Sequence, residues 1–414
     1  MLNLDTHSIH ITFESNLPSQ VRAAVNNVFE NFHFFLQFNK FKPSSKNLVI
    51  GTSNQSDLFV SQRFVQNLVQ KNFDHMHWFE KQALIVENNS PDYIGTCFYM
   101  INCLQEFTNH RGDFLDRFTY EASYQHKFDC ATSHLVLDYF QEMAKQIFGH
   151  PIPLKKSEYA LSHDIDAIHR GWMKSFKLSL KNISVKQLYQ LFKRGIQLKA
   201  PLQNLEEIIL AEKKYNIQST FFFLAVSGPT PFKNVSNADY HIEDAYVQKI
   251  FKQIKESPYH QIGLHKSIGN HTFINELRQL PYTRNRFHYL KFRIPEVYNE
   301  LKESGITHDY SLGFSKQIGF RNSYGLPFKP FNPINGKSSD TWFVPLLIMD
   351  SSMHYFMGLE SDESKLIAVK DFILAHRHST IVSILWHNDY FEPKIYEELL
   401  AFIGAELTPF KEPQ

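Results

Sequence analysis

The sequence predicts an α/β protein in two parts, a smaller mixed α/β domain over residues 1–150 and a parallel-stranded open sheet or barrel over residues 156–414. Three observations point there. The chain has 414 residues, more than one ordinary core organises. Gly149-His-Pro-Ile-Pro153-Leu-Lys-Lys has the Pro-rich, basic character of a boundary. Beyond it, short apolar runs alternate with helix-spaced segments, the pattern of parallel strands joined by crossover helices.

In the first part, Ile9-His-Ile-Thr-Phe13 and Asn47-Leu-Val-Ile-Gly51 read as strands. Val21–Phe35 carries apolar residues at helical spacing (Val21, Val25, Val28, Phe32), and Tyr93–Phe107 and Ser133–Phe148 read as buried helices. His75-Met-His77-Trp78 alternates like a half-buried strand, and its histidines read as ordinary strand residues rather than a metal pair. This half is assigned no chemistry.

In the second part, a strand opening at Tyr159 runs into a polar end, Ser162-His-Asp164-Ile-Asp166. Pro201–Asn216 follows as a helix with Leu202, Leu205, Ile208 and Ile209 on one face, then a strand at Ser219–Leu224. A helix at Glu243–Glu256 leads into the strand Gln261–His265. Arg286-Phe-His288-Tyr-Leu290 precedes a helix from Pro295 to Ser304, with Gly305 placed as its stop. Gly305–Asp309 and Thr380–His387 are strands, and Glu363–Ala375 and Glu392–Ile403 are helices.

Composition bounds the function class. With 43% hydrophobic and 21% charged residues the chain is a soluble globular protein. A net charge of +1 argues against a general nucleic-acid binder. Cys97, Cys103 and Cys130 read as reduced, buried thiols. Met1–His7 has neither a basic start nor an apolar run, and stretches such as Phe221–Val226 and Phe343–Met349 are too short to span a bilayer. The expectation is a cytoplasmic protein without a transmembrane segment. Ala167–Pro201 carries eight Lys and Arg residues and no acid, and reads as an inserted helical lid. Such a run is either a solvated face or a platform for an anionic glycan, a lipid-linked sugar or a membrane surface.

The chemistry gathers at one place. Asp164, Asp166, His265, His288, Asp309 and His387 all fall at or just after the C-terminal ends of expected strands, the rim where α/β barrels hold their active sites. Strand alternation turns Asp164 and Asp166 to the same side. Two carboxylates there are hard to desolvate unless a cation or proton lies between them. A divalent metal held by one carboxylate and two imidazoles leaves positions open for water and substrate. Asp166, His265 and a second histidine would be its ligands, Asp164 the base and His387 the acid. Alternatively, Asp164 and Asp166 pair with Arg286 and Arg321 in a buried structural network. Trp386 and Tyr390 suit either wall packing or a sugar face.

Four of these stretches, Ser162-His-Asp164-Ile-Asp166, Ser219-Thr-Phe-Phe-Phe-Leu224, Gly263-Leu-His265-Lys-Ser267 and Leu385-Trp-His387-Asn388, resemble successive motifs of the NodB-type polysaccharide deacetylases. Tyr93–Met100 through Arg117–Ser123 is similar to the N-terminal domain of a bacterial subgroup of that family. Arg286–Phe292, Asp309–Phe314, Gly319–Arg321 and Ile348-Met-Asp350 are similar to the subgroup's catalytic half. The resemblance implies a distorted (β/α) barrel that uses a divalent metal, most often Zn2+, to remove acetyl groups from a sugar or glycan. It implies Asp164 as base and Asp166 as ligand, although one residue separates aspartates that are adjacent in the family, so the roles could be exchanged. Its H-S-x-x-H motif is half present: His265 and Ser267 fit, but Gly269 stands where the second histidine belongs. His288, from a different strand, or His271 would then be the third ligand. Arg286 would orient the base, Asp309 a catalytic histidine, and Arg321 would bind substrate or form an ion pair. The expected substrate is an acetylated sugar or glycan, and the expectation of a cytoplasmic protein makes a nucleotide- or lipid-linked precursor one form of it.

Overall fold

The computed structural model describes residues 9–53, 55–108, 112–169, 202–359 and 361–413, so the expected lid lies outside the described residues from 170 to 201. Three parallel strands, β1 (Ile9–Phe13), β2 (Lys46–Gly51) and β3 (Leu58–Phe59), open the chain. Helix α1 (Ser19–Phe38) crosses from β1 to β2 and buries Val21, Val25, Val28, Phe32 and Phe35 along one stripe. Helix α2 (Gln62–Val69) is capped by the Ser61 side chain. Helix α3 (Tyr93–Ile101) is buried from Ile94 onward, as its nearly unbroken apolar composition requires, and α4 (Leu135–Phe148) packs against it.

Two local expectations change. The helix expected to reach Phe107 stops earlier, because Cys103 takes a left-handed φ of 52° and the chain continues as a 3-10 turn, Leu104–Phe107. His75–Trp78 is a helical turn rather than a strand: the Asp74 carboxylate accepts from the Met76 N–H and starts a helix there.

The second half is built on one parallel sheet of β4 (Glu158–Ile165), β5 (Ser219–Leu224), β6 (His260–Lys266), β7 (Arg284–Phe287), β8 (His308–Asp309), β9 (Trp342–Phe343), β10 (Ile348–Met349) and β11 (Ile381–Leu385). A last short strand, β12 (Thr408–Pro409), pairs with β4. The order is β9-β8-β7-β6-β5-β4-β11-β10, curled through 240° as a half-barrel. Helices α5 (Leu205–Tyr215), α6 (Ala245–Lys255), α7 (Phe273–Leu277), α8 (Glu296–Ser304), α9 (Asp350–Tyr355), α10 (Asp362–Ala375) and α11 (Pro393–Glu406) connect or follow the strands. Gly305 ends α8 at φ 75°, a conformation that costs glycine nothing.

The topology positions the site. β4 is first of these strands in sequence but lies inside the sheet, between β5 and β11. The polar end of β4 is thereby flanked by the strand that precedes His387 and faces those that carry His265 and Arg286.

Candidate metal centre

Residues in β4 alternate between two environments. Ser162, Asp164 and, one residue past the strand, Asp166 turn into the half-barrel, while His163 turns outward beneath α5 and α11. His265 near the end of β6 stands opposite Arg286 of β7, and His288 follows directly after β7.

Among the described residues, Asp166, His265 and His288 are the acid and imidazole groups that converge, with ligand atoms all within 4.8 Å of one another. Hydrogen bonding fixes which ring nitrogens face inward. His265 Nδ1 lies 2.9 Å from the Arg286 carbonyl, which can only accept, so Nδ1 carries the hydrogen and Nε2 presents its lone pair. His288 Nδ1 faces Asn237 Oδ1 at 3.4 Å, and that amide is held by the Ile268 N–H and C=O at 3.0 and 2.9 Å. Both Nε2 atoms then point at Asp166 Oδ1, at 3.3 Å from His265 and 3.4 Å from His288.

These approaches are close without being hydrogen bonds. Asp166 Oδ1 and His288 Nε2 are buried atoms with no hydrogen-bond partner, although the Asp166 side chain as a whole is 40% exposed. A carboxylate oxygen facing two imidazole nitrogens, when both rings are neutral with Nδ1 protonated, is repulsive unless a cation or proton sits between them. The two spacings to Asp166 suit a cation: ligand atoms at a zinc–nitrogen or zinc–oxygen distance of about 2.05 Å and a tetrahedral angle stand roughly 3.3 Å apart. One carboxylate with two imidazoles is also a donor set suited to zinc with open positions for water and substrate.

Electrostatics follow the same geometry. Burial raises the Asp166 pKa, but His288 and His265 outweigh it and hold the carboxylate well below its usual range. Burial lowers both imidazoles; Asp164 and Asp166 overcome it at His265, whose pKa is raised, whereas burial prevails at His288.

Asp164 sits alongside. Its Oδ1 accepts from Arg286 NH1 at 3.0 Å, and its Oδ2 is 3.5 Å from His265 Nε2. Arg286 is fully buried, with Nε donating to the Tyr310 carbonyl, NH1 also donating to Ser162 Oγ, and the guanidinium over the Phe222 ring. The arginine thus fixes one carboxylate oxygen and leaves the other toward the imidazoles.

Across the mouth, His387 follows β11. Asp350, at the start of α9, accepts from His387 Nδ1 and from the His387 backbone N–H, each at 2.6 Å. Burial lowers the His387 pKa, but Asp350 first, then Asp166 and Asp164, raise it well above the ordinary imidazole value. Asp350 thus favours the protonated form of the ring and leaves Nε2 as its other nitrogen. Sequence reading left Asp350 without a role. The signal was present, a carboxylate closing an apolar strand, but its partner becomes visible only when β10 pairs with β11.

Several expected site residues are used elsewhere. Asp309 orients no histidine: its carboxylate accepts from Asn285 Nδ2, Ser311 N and Ser311 Oγ, and burial raises its pKa to about 6. Arg321 makes the ion pair of its two expected roles, bidentate to buried Glu106 at 2.8 and 2.6 Å. Ser267 gives both its N–H and Oγ–H to Glu276. Trp386 is buried, with Nε1 donating to the Tyr390 carbonyl, so its ring offers no face to a sugar. His271 is exposed and outside the converging group, because the glycine turn at Gly269 (φ 130°) carries the chain away after β6. No described helix is long and apolar enough to cross a membrane.

Compared with known proteins, the chain matches no protein-family model and no curated protein.

Proposed function

We propose that the protein is a metal-dependent hydrolase that removes acetyl groups from a sugar or glycan, in the manner of the NodB-type deacetylases that its motifs resemble. The observation that carries the metal is the orphaned pair, Asp166 Oδ1 and His288 Nε2, buried face to face with His265 Nε2 beside them. Asp166, His265 and His288 would hold a divalent cation, Zn2+ being the ion their donor set suits, whose chemistry when bound is to polarise an acyl carbonyl and acidify water.

The remaining work falls to this chain's own side chains. Asp164 Oδ2 takes the proton of the attacking water, while Arg286 keeps Oδ1 occupied and the carboxylate oriented. As the water oxygen bonds to the acetyl carbon, the C–N or C–O bond breaks. His387 Nε2 gives its proton to the leaving nitrogen or oxygen, and Asp350 stabilises the imidazolium beforehand. Acetate and a free amine or hydroxyl result. This chemistry would serve any amide or ester that fits. The acetylated sugar or glycan rests on the motif resemblance, and a nucleotide- or lipid-linked precursor is one form of it. Acetate release from a panel of such precursors tests the reading: wild type releases acetate from at least one, and Asp164→Asn and His387→Asn from none. Silence of the wild type across the panel contradicts it.

A further inference from the structure

One loop of the amino-terminal region, residues 113–117, meets the surroundings of His288 from two sides. The loop is stiff. Asp113 Oδ1 accepts from the Leu115 and Arg117 N–H groups at 3.0 and 3.1 Å, and Asp113 Oδ2 accepts from Arg117 Nε and NH2 at 2.8 and 2.6 Å. That leaves Arg117 NH1, which donates to the Tyr289 carbonyl at 2.6 Å. Arg117 is 8% exposed, so this is a charge-assisted bond largely removed from water.

Tyr289 is the residue after His288, and its backbone is unusual. Tyr289 and Leu290 both take left-handed φ, 57° and 52°, which L-residues other than glycine adopt only when their surroundings enforce it. The turn swings the His288 ring toward Asp166 and the Tyr289 carbonyl toward Arg117. The second contact is apolar. Leu115 is fully buried against Val235 and Ile268, a small core separate from the main one. Ile268 is the residue whose N–H and C=O hold the Asn237 amide, and Asn237 Oδ1 faces His288 Nδ1. One loop therefore braces both the backbone that aims His288 and the amide that sets its tautomer.

We infer that the 113–117 loop is a positioning element of the metal centre, with Arg117 as its key side chain, so that the amino-terminal region completes the site. This rests on the metal reading above. Outer groups that orient metal-ligating histidines typically contribute 10–100-fold to metal affinity, which sets the expected effect.

The test is zinc competition against a chromophoric chelator, with the full chain, together with the visible spectrum of the cobalt-substituted protein. Arg117→Ala lowers zinc affinity about 10–100-fold and alters the cobalt bands, while the metal-free protein melts cooperatively. Arg117→Lys, which keeps a donor for the Tyr289 carbonyl, recovers part of the loss, and it decides the matter if Arg117→Ala does not fold. Arg293→Ala, which breaks the exposed Arg293–Asp116 pair on the same loop, leaves affinity unchanged. Zinc bound equally by wild type and by folded Arg117 variants overturns this inference alone. A wild type that binds no zinc overturns the metal reading and this inference together.

Discussion

At the scale of single residues, the site depends on which atom of each side chain is already engaged. His265 and His288 each give one nitrogen away and keep the other for the centre. Asp164 gives one oxygen to Arg286, and His387 gives Nδ1 to Asp350. The last pair makes a prediction. Asp350→Asn removes the carboxylate that outweighs burial, so the His387 pKa falls and its acid form is lost at lower pH. The alkaline limb of the kcat/KM profile for acetate release moves to lower pH, and the rate above pH 8 falls by about 10²–10⁴. Zinc content stays at the wild-type level. An unmoved alkaline limb would show that Asp350 does not tune the acid. The sequence made Asp164, Asp166, His265 and His387 readable because strand alternation and strand ends are local properties. It left His288 and His271 as alternatives, because only the left-handed turn after β7 brings His288 back to Asp166. Ser267 was misleading for the opposite reason: its partner, Glu276, lies in a segment that carries no motif, whereas Arg321 forms the ion pair that was one of its two expected roles.

At the scale of elements, β4 is held from behind by a buried polar knot. His163 donates from Nδ1 to the Trp386 carbonyl at 2.6 Å and meets Glu212 of α5 at 2.9 Å. Tyr396 of α11 and Ser219 of β5 also donate to the Glu212 carboxylate. One acid thus ties together two helices and three strands, His260 of β6 being the third at 3.1 Å, beneath the strand ends that carry Asp164 and His387. Burial raises the Glu212 pKa, but His163 and His260 overcome it and bring it to about 2. A depressed carboxylate stabilises the fold fully above its unfolded value of 4.5, and that contribution is lost as pH falls through about 2. Glu212→Gln is therefore expected to cost about 3–5 kcal/mol in urea unfolding at pH 7, with the gap to wild type narrowing toward pH 2. Equal stabilities at pH 7 would mean that the knot contributes nothing. The long strands and amphipathic helices were legible because burial writes a period into them. The two-residue strands β9 and β10 were not, since two residues carry no period, whereas β8 falls at the end of the strand expected over Gly305–Asp309.

At the scale of the whole molecule, the sequence suggested two bodies, and the halves are joined through a continuous apolar core and one buried ion pair. Phe98 of α3 packs on Phe331 at 5.8 Å and Phe140 of α4 on Tyr324 at 5.9 Å. Arg321 pairs with Glu106 with both side chains almost fully buried. Gly319 lets the chains approach: a Cβ there would sit 2.2 Å from the Ala131 carbonyl oxygen. Breaking one member of the buried pair leaves the other charged and unpaired. Arg321→Met is expected to destabilise the protein by about 3–5 kcal/mol by chemical denaturation while zinc affinity is unchanged. A loss of zinc affinity with full stability would instead return Arg321 to the site. The Pro-rich boundary at 149–153 marks a change in the sequence pattern, but it holds no information about how much surface the flanking segments share.

Metal analysis of the purified chain tests most directly whether Asp166, His265 and His288 share a cation. The expected result is one zinc per chain in the wild type and none in the Asp166→Ala/His265→Ala variant, with the fold of both retained. A wild type without metal, or a double variant that keeps its full complement, would contradict it.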